Sequence, residues 1–87
     1  MNKMKLAQIA KNQTELVYEN GTRILFSYQT PVAGFIPQRG WIKTSHRYSV
    51  TTSRHVNRWL TDNGAFETAE PLHQSELDRL ANNGGAL

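Results

Sequence analysis

Residues 15–28 read ELVYENGTRILFSY. Two runs rich in β-branched and aromatic residues flank Asn20 and Gly21, the dipeptide that most readily takes the positive φ angles of a tight hairpin turn. A two-residue loop predicts Val17 opposite Ile24 and Leu16 opposite Leu25. One face then carries Val17, Ile24 and Phe26, the other Leu16, Tyr18 and Leu25. Both faces are apolar, so each needs partial cover.

Outward from this hairpin, residues 4–10 read equally as a short strand or one helical turn. Pro31 and Pro37 bracket VAGFI, a short edge strand, because proline cannot donate to a ladder. Gln38, Arg39 and Gly40 then turn the chain into WIKTSHRYSVTT. Its alternation predicts Ile42, Thr44, His46, Tyr48 and Val50 facing the core, with Trp41, Lys43 and Arg47 facing solvent. Thr52 or Ser53 caps a helix over roughly 53–61, whose Val56, Trp59 and Leu60 oppose Arg54, Asn57, Arg58 and Thr61. A second helix over roughly 72–82 starts near Pro71 or Ser75 and carries Leu77, Leu80 and Ala81 as its apolar stripe. Residues 83–87 read as a frayed tail. The prediction is one small α+β domain over residues 1–87: a hairpin-rich antiparallel sheet of about four or five strands over roughly 4–51, then two short helices.

Composition narrows the function. At 87 residues and 38% hydrophobic content the chain fills a small core and leaves no room for a deep substrate cavity. It has no cysteine, so neither disulfides nor thiolate metal sites brace it. No stretch approaches the ~20 apolar residues of a membrane span, and the opening MNKMKLAQIAKN is too polar for a signal peptide. The net charge of +3 is unevenly spread. Up to Arg58, nine Lys and Arg stand against Glu15 and Glu19; beyond it, Arg79 stands against Asp62, Glu67, Glu70, Glu76 and Asp78. That split predicts attraction to polyanions, or docking of the acidic segment on the basic one.

Trp41, Lys43, Arg47, Arg54 and Arg58 form the candidate binding surface. Lysine and arginine neutralise phosphates, an exposed tryptophan stacks on bases, and a helix N-terminus offers N–H groups to anions. The plain alternative is a solvated sheet face beside a polar helix face. Trp59, grouped with Val56 and Leu60, reads as a core anchor. His46, His55 and His73 lack ligand spacing, so no metal or other cofactor is expected. His46 reads as a core packing residue, and His55 as a flank residue bonding a backbone carbonyl. Gly21, Gly34, Gly40 and Gly64 read as turns and bends. With no nucleophile elbow, paired carboxylates or phosphate loop, the chain is not expected to be an enzyme.

ILFSYQTPVAGFI followed by KTSHRYSVTTSRHVNRWL resembles a family of small uncharacterised proteins found mainly in tailed phages and prophages. The resemblance spans roughly residues 12–60. Its pieces are Phe26-Ser27-Tyr28, Thr30-Pro31-Val32-Ala33 and the run from Tyr48 to Leu60; the N-terminal dozen and the acidic C-terminal helix lie outside it. No activity is established for that family, so no catalytic residue is implied. The resemblance implies an accessory protein made in a bacterial cytoplasm, acting by occupying a host or phage surface as anti-CRISPR proteins do. The expected partner is a host protein or protein–nucleic-acid complex handling nucleic acid. The alternatives are direct nucleic-acid binding of low sequence specificity, and a self-associating module such as a homodimer.

Overall fold

The computed structural model describes residues 4–85. Six strands form one sheet in sequence order: β1 (Met4–Ala10), β2 (Gln13–Tyr18), β3 (Arg23–Ser27), β4 (Thr30–Ile36), β5 (Gly40–Thr44) and β6 (Glu70–Leu72). The first five form an antiparallel meander; β6 pairs parallel to β5, with helix α1 (Val50–Asp62) spanning the crossover. Helix α2 (Gln74–Asn82) follows. The α+β class stands, with a short last strand between the helices.

The two helices cover opposite faces. Ile24, Ile36 and Ile42 pack with Leu77 and Leu80 of α2, whereas Leu25, Val32 and Ala33 pack with Val56, Trp59 and Leu60 of α1. The apolar alternation of both hairpin faces thus meets a cover on each side. A consequence concerns the charge split. Arg54 and Arg58 sit on α1 while Glu76 and Asp78 sit on α2, so within one chain the acidic helix lies across the sheet from the basic one.

Several expectations need correction. The hairpin loop holds three residues: Leu16 pairs with Ile24 and Val17 with Arg23, while Tyr18 N–H donates to the Thr22 carbonyl at 2.8 Å. Gly21 takes φ +93°, and Asn20 instead caps the turn through Oδ1, accepting from Thr22 N–H. This one-residue slip exchanges faces, because side chains alternate with period two. Leu16, Tyr18, Ile24 and Phe26 now share the α2 side.

The VAGFI strand is central, not an edge, since β4 pairs with both β3 and β5. Leu25 opposes Ala33 and Phe26 opposes Pro31, leaving Val32 as a bulge that turns both Val32 and Ala33 towards α1. Gly34 is no bend either. It lies mid-strand, where a Cβ would come within 2.6 Å of the Arg23 carbonyl oxygen.

Strand β5 stops at Thr44, because its hydroxyl turns back to accept from His46 N–H at 3.0 Å. Residues 45–49 are loop, His46 is exposed, and Val50 is 70% exposed instead of core-facing. The cap of α1 is Ser49, whose Oγ accepts from Thr52 N–H at 3.1 Å, so the helix starts earlier than expected. His73 caps α2 through Nδ1, accepting from Ser75 N–H. The tail is anchored as far as Gly85, whose carbonyl accepts from Thr22 Oγ1 at 2.8 Å and whose N–H donates to the Leu80 carbonyl. The remainder of the expected frayed end, residues 86–87, lies outside the described residues.

Candidate functional site

The β5–α1 loop is tied at both ends. Thr44 Oγ1 donates to Gln74 Oε1 at 2.6 Å, Ser45 N–H donates to the Leu72 carbonyl, and Ser49 caps the helix. Between these anchors the loop stands off the flank of α1 and leaves a cleft of about 290 Å³. Lys43, His46 and Arg47 line one wall; Ser53 and Asn57 of α1 line the other, with Thr52 and Val56 towards the sheet. No carboxylate is among its lining residues. Hydroxyl and amide donors beside a lysine and an arginine favour an anionic or strongly polar guest.

The His46 ring stands edge-on to Tyr48, with centroids 4.3 Å apart. Burial, and secondarily the charge of Asp78, pushes the Tyr48 phenol above its ordinary value, so it stays protonated at neutral pH.

The five predicted residues are not all brought together. Lys43 and Arg47 meet in the cleft. Arg54 and Arg58 are exposed one turn apart on α1. Arg58 lines a second groove, of about 260 Å³, with Asp62, Trp59, Gln13, Ile9 and Ala10. At about 100° per residue, Ser53 and Asn57 fall on one flank of α1 and Arg58 and Asp62 on the other. Arg54 lies between, on the outer crest.

Trp41 leaves the candidate surface. It is half-buried against Trp59, with centroids 5.4 Å apart, and against Phe35 at 4.8 Å. These tilted ring contacts take up much of the surface that stacking on a base would need. Trp59 is the core anchor expected of it, only 3% exposed. Its indole N–H has no acceptor among the described residues.

Two constellations were missed. Arg23 lies over both tryptophans, its guanidinium carbon 5.4 Å from the Trp41 ring centre and 5.5 Å from that of Trp59. It donates from Nε to Glu15 and from Nη2 to Asn63 Oδ1 at 3.2 Å. Period two along β3 puts Arg23 on the face of Leu25 in either register, but only the three-residue hairpin loop brings Glu15 onto that face, so the misread register concealed the pair. His55 does not bond a carbonyl as expected: its Nδ1 lies 2.7 Å from Ser27 Oγ, which lies 3.2 Å from Thr52 Oγ1. Ser27 is 2% exposed, so this polar bridge ties α1 to β3. Among the described residues no three His, Asp or Glu side chains come together as metal ligands would.

A family model, described as a family of unknown function (DUF8033), matches residues 4–79. The chain belongs to this family. The DUF8033 match takes in all six strands, α1 and the first part of α2, well beyond the 12–60 stretch on which the resemblance rests. Strand β1, β6 and the start of the acidic helix are therefore part of the DUF8033 pattern, not additions outside it. No curated protein and no solved structure matches.

Proposed function

We propose that this protein is a non-enzymatic accessory protein of a phage or prophage, made in the cytoplasm of the bacterial host. It acts stoichiometrically, occupying a surface of a host complex that handles nucleic acid, a defence complex in the manner of anti-CRISPR proteins. The observation that supports this reading is the carboxylate-free cleft holding Lys43 and Arg47 beside α1, with Arg54 on the adjoining crest. Surfaces that meet nucleic-acid-handling machines encounter phosphates or the acidic patches that mimic them, and both are recognised by cations with hydroxyl donors nearby. Arg58 extends the basic character to the far flank of α1, where Asp62 tempers it.

The second reading is direct nucleic-acid binding of low sequence specificity. The exposed His46 ring against Tyr48 at the cleft rim favours it, since aromatic surface beside cations suits a single strand. One experiment separates the two: pull-down of the tagged protein from bacterial lysate with and without nuclease, read by mass spectrometry. A discrete partner retained after nuclease supports the first reading. Recovery that collapses with nuclease supports the second. No partner under either condition contradicts both.

A further inference from the structure

Strand β1 forms one edge of the sheet, pairing only with β2 among the described residues. Every described side chain from Lys5 to Ala10 is exposed. The opposite edge is protected: β6 is three residues long and its middle residue, Pro71, has no N–H to offer. The seven-residue β1 carries Lys5 as its sole charge, a thin guard for so long an edge.

The side chains along that edge point to the occupant. Leu6 stands opposite Leu16, and Leu16 opposite Ile24, making one apolar row across three strands on the α2 side. Ile24 is fully buried and Leu16 half-buried, but Leu6 is 71% exposed. The row runs out from the core past the cover that α2 provides. An antiparallel copy of the same strand extends such a row with its own mirror sequence, because a two-fold contact matches a patch with itself.

We propose that two copies of this chain pair edge to edge through β1, antiparallel, with the two-fold axis at Leu6. Leu6 then meets Leu6 of the second copy and Lys5 meets Ala7, so no two lysines oppose each other directly. An axis at Lys5 sets two ammonium groups face to face, and one at Ala7 puts Leu6 against Gln8. Only the Leu6 axis closes the apolar row. In-plane antiparallel pairing keeps each face of the sheet continuous, so both α1 helices lie on the same side and the basic surface is doubled. A contact between two single edge strands buries less than a standard stable interface, so association depends on concentration.

The test is sedimentation equilibrium across a wide concentration range on the wild type, Leu6→Lys and the pair Glu76→Lys/Asp78→Lys. The expected result is a mass rising from one chain to two in the wild type and the α2 pair. Leu6→Lys stays at one chain, and at dilutions where the wild type is also one chain its melt matches the wild type, because Leu6 is exposed in the monomer. Since the chain has no cysteine, Leu6→Cys adds an independent readout: mild oxidation yields a covalent dimer, whereas Val50→Cys, equally exposed on α1, does not. A wild type that remains one chain throughout overturns the proposal. So does a dimer that survives Leu6→Lys, or one lost in the α2 pair alone, which assigns association to the acidic helix.

Discussion

Arg23 donates from Nε to the carboxylate of Glu15 while its guanidinium carbon stands over the rings of Trp41 and Trp59. The Glu15 side chain is 14% exposed and that of Arg23 30%, so the pair is largely withdrawn from water. Arginine suits the place because its flat, weakly hydrated cation tolerates aromatic neighbours and still donates sideways. This cation thus fastens β2, β3 and the end of α1, through Asn63, into one unit.

Arg23→Ala is predicted to destabilise the fold by about 2 kcal/mol, below the loss for a fully buried pair, by leaving the largely withdrawn Glu15 carboxylate without its arginine. Arg23→Ala with Glu15→Gln recovers part of that loss. Urea unfolding of the two single variants and the double variant measures the coupling; additive losses would contradict the clamp.

Gly34→Ala is predicted to destabilise by about 1–3 kcal/mol, because the new methyl meets the Arg23 carbonyl. The sign is informative. In an unobstructed strand interior the same change stabilises, since glycine gives up more backbone freedom on folding than alanine does. A thermal melt that rises would remove the close approach from the account.

The cap of α1 gives a third test. Ser49→Ala should cost about 1 kcal/mol by freeing the Thr52 N–H, whereas Ser53→Ala, at one of the two residues the sequence offers as cap, should change stability by less than ~0.5 kcal/mol. Equal effects in denaturant unfolding would return the helix start to the later position.

Those three positions show where sequence reading succeeds and where it stops. The apolar faces of β3, the core role of Trp59 and the stripe of α2 follow from periodicity, and the structure keeps them. The hairpin register does not follow, because Asn20-Gly21 suits both a two-residue loop and a three-residue loop with glycine last; a slip of one exchanges Val17 with Leu16. The end of β5 was hidden because period-two alternation continues formally through Ser45 to Val50, although a threonine hydroxyl has already turned the backbone. Strand β6, EPL, is too short and too proline-marked to read. Without it nothing signals a parallel crossover, and so nothing places α1 and α2 on opposite faces. The candidate site was half legible for the same reason. Lys43 stays on β5 and Arg47 moves into the loop after it, where both line the cleft, but the depth of Trp41 depends on α1 lying over it.

Stability at high pH provides a fourth prediction. Burial raises the Tyr18 phenol above its ordinary value of 10.0, and its hydroxyl donates to the Ala81 carbonyl at 3.0 Å. The folded state therefore holds this proton more tightly than the unfolded chain. The associated stability is fully present below pH 10, and is lost as pH rises through the folded value. Tyr18→Phe should lose about 1 kcal/mol at neutral pH through the missing hydrogen bond and decline less steeply above pH 10. Parallel alkaline slopes for the two proteins would contradict the assignment.

The claim that matters most is that the α1 side of the sheet, centred on the Lys43–Arg47 cleft, carries the binding function. Partner capture by the wild type should be compared with that of Lys43→Glu/Arg47→Glu and Arg54→Glu/Arg58→Glu, with thermal melts confirming that each variant is folded. The cleft pair is predicted to lose capture at least tenfold, and the helix pair to lose less, because Arg58 lies on the far flank. Undiminished capture by a folded Lys43→Glu/Arg47→Glu protein would contradict the account and move the function to another face.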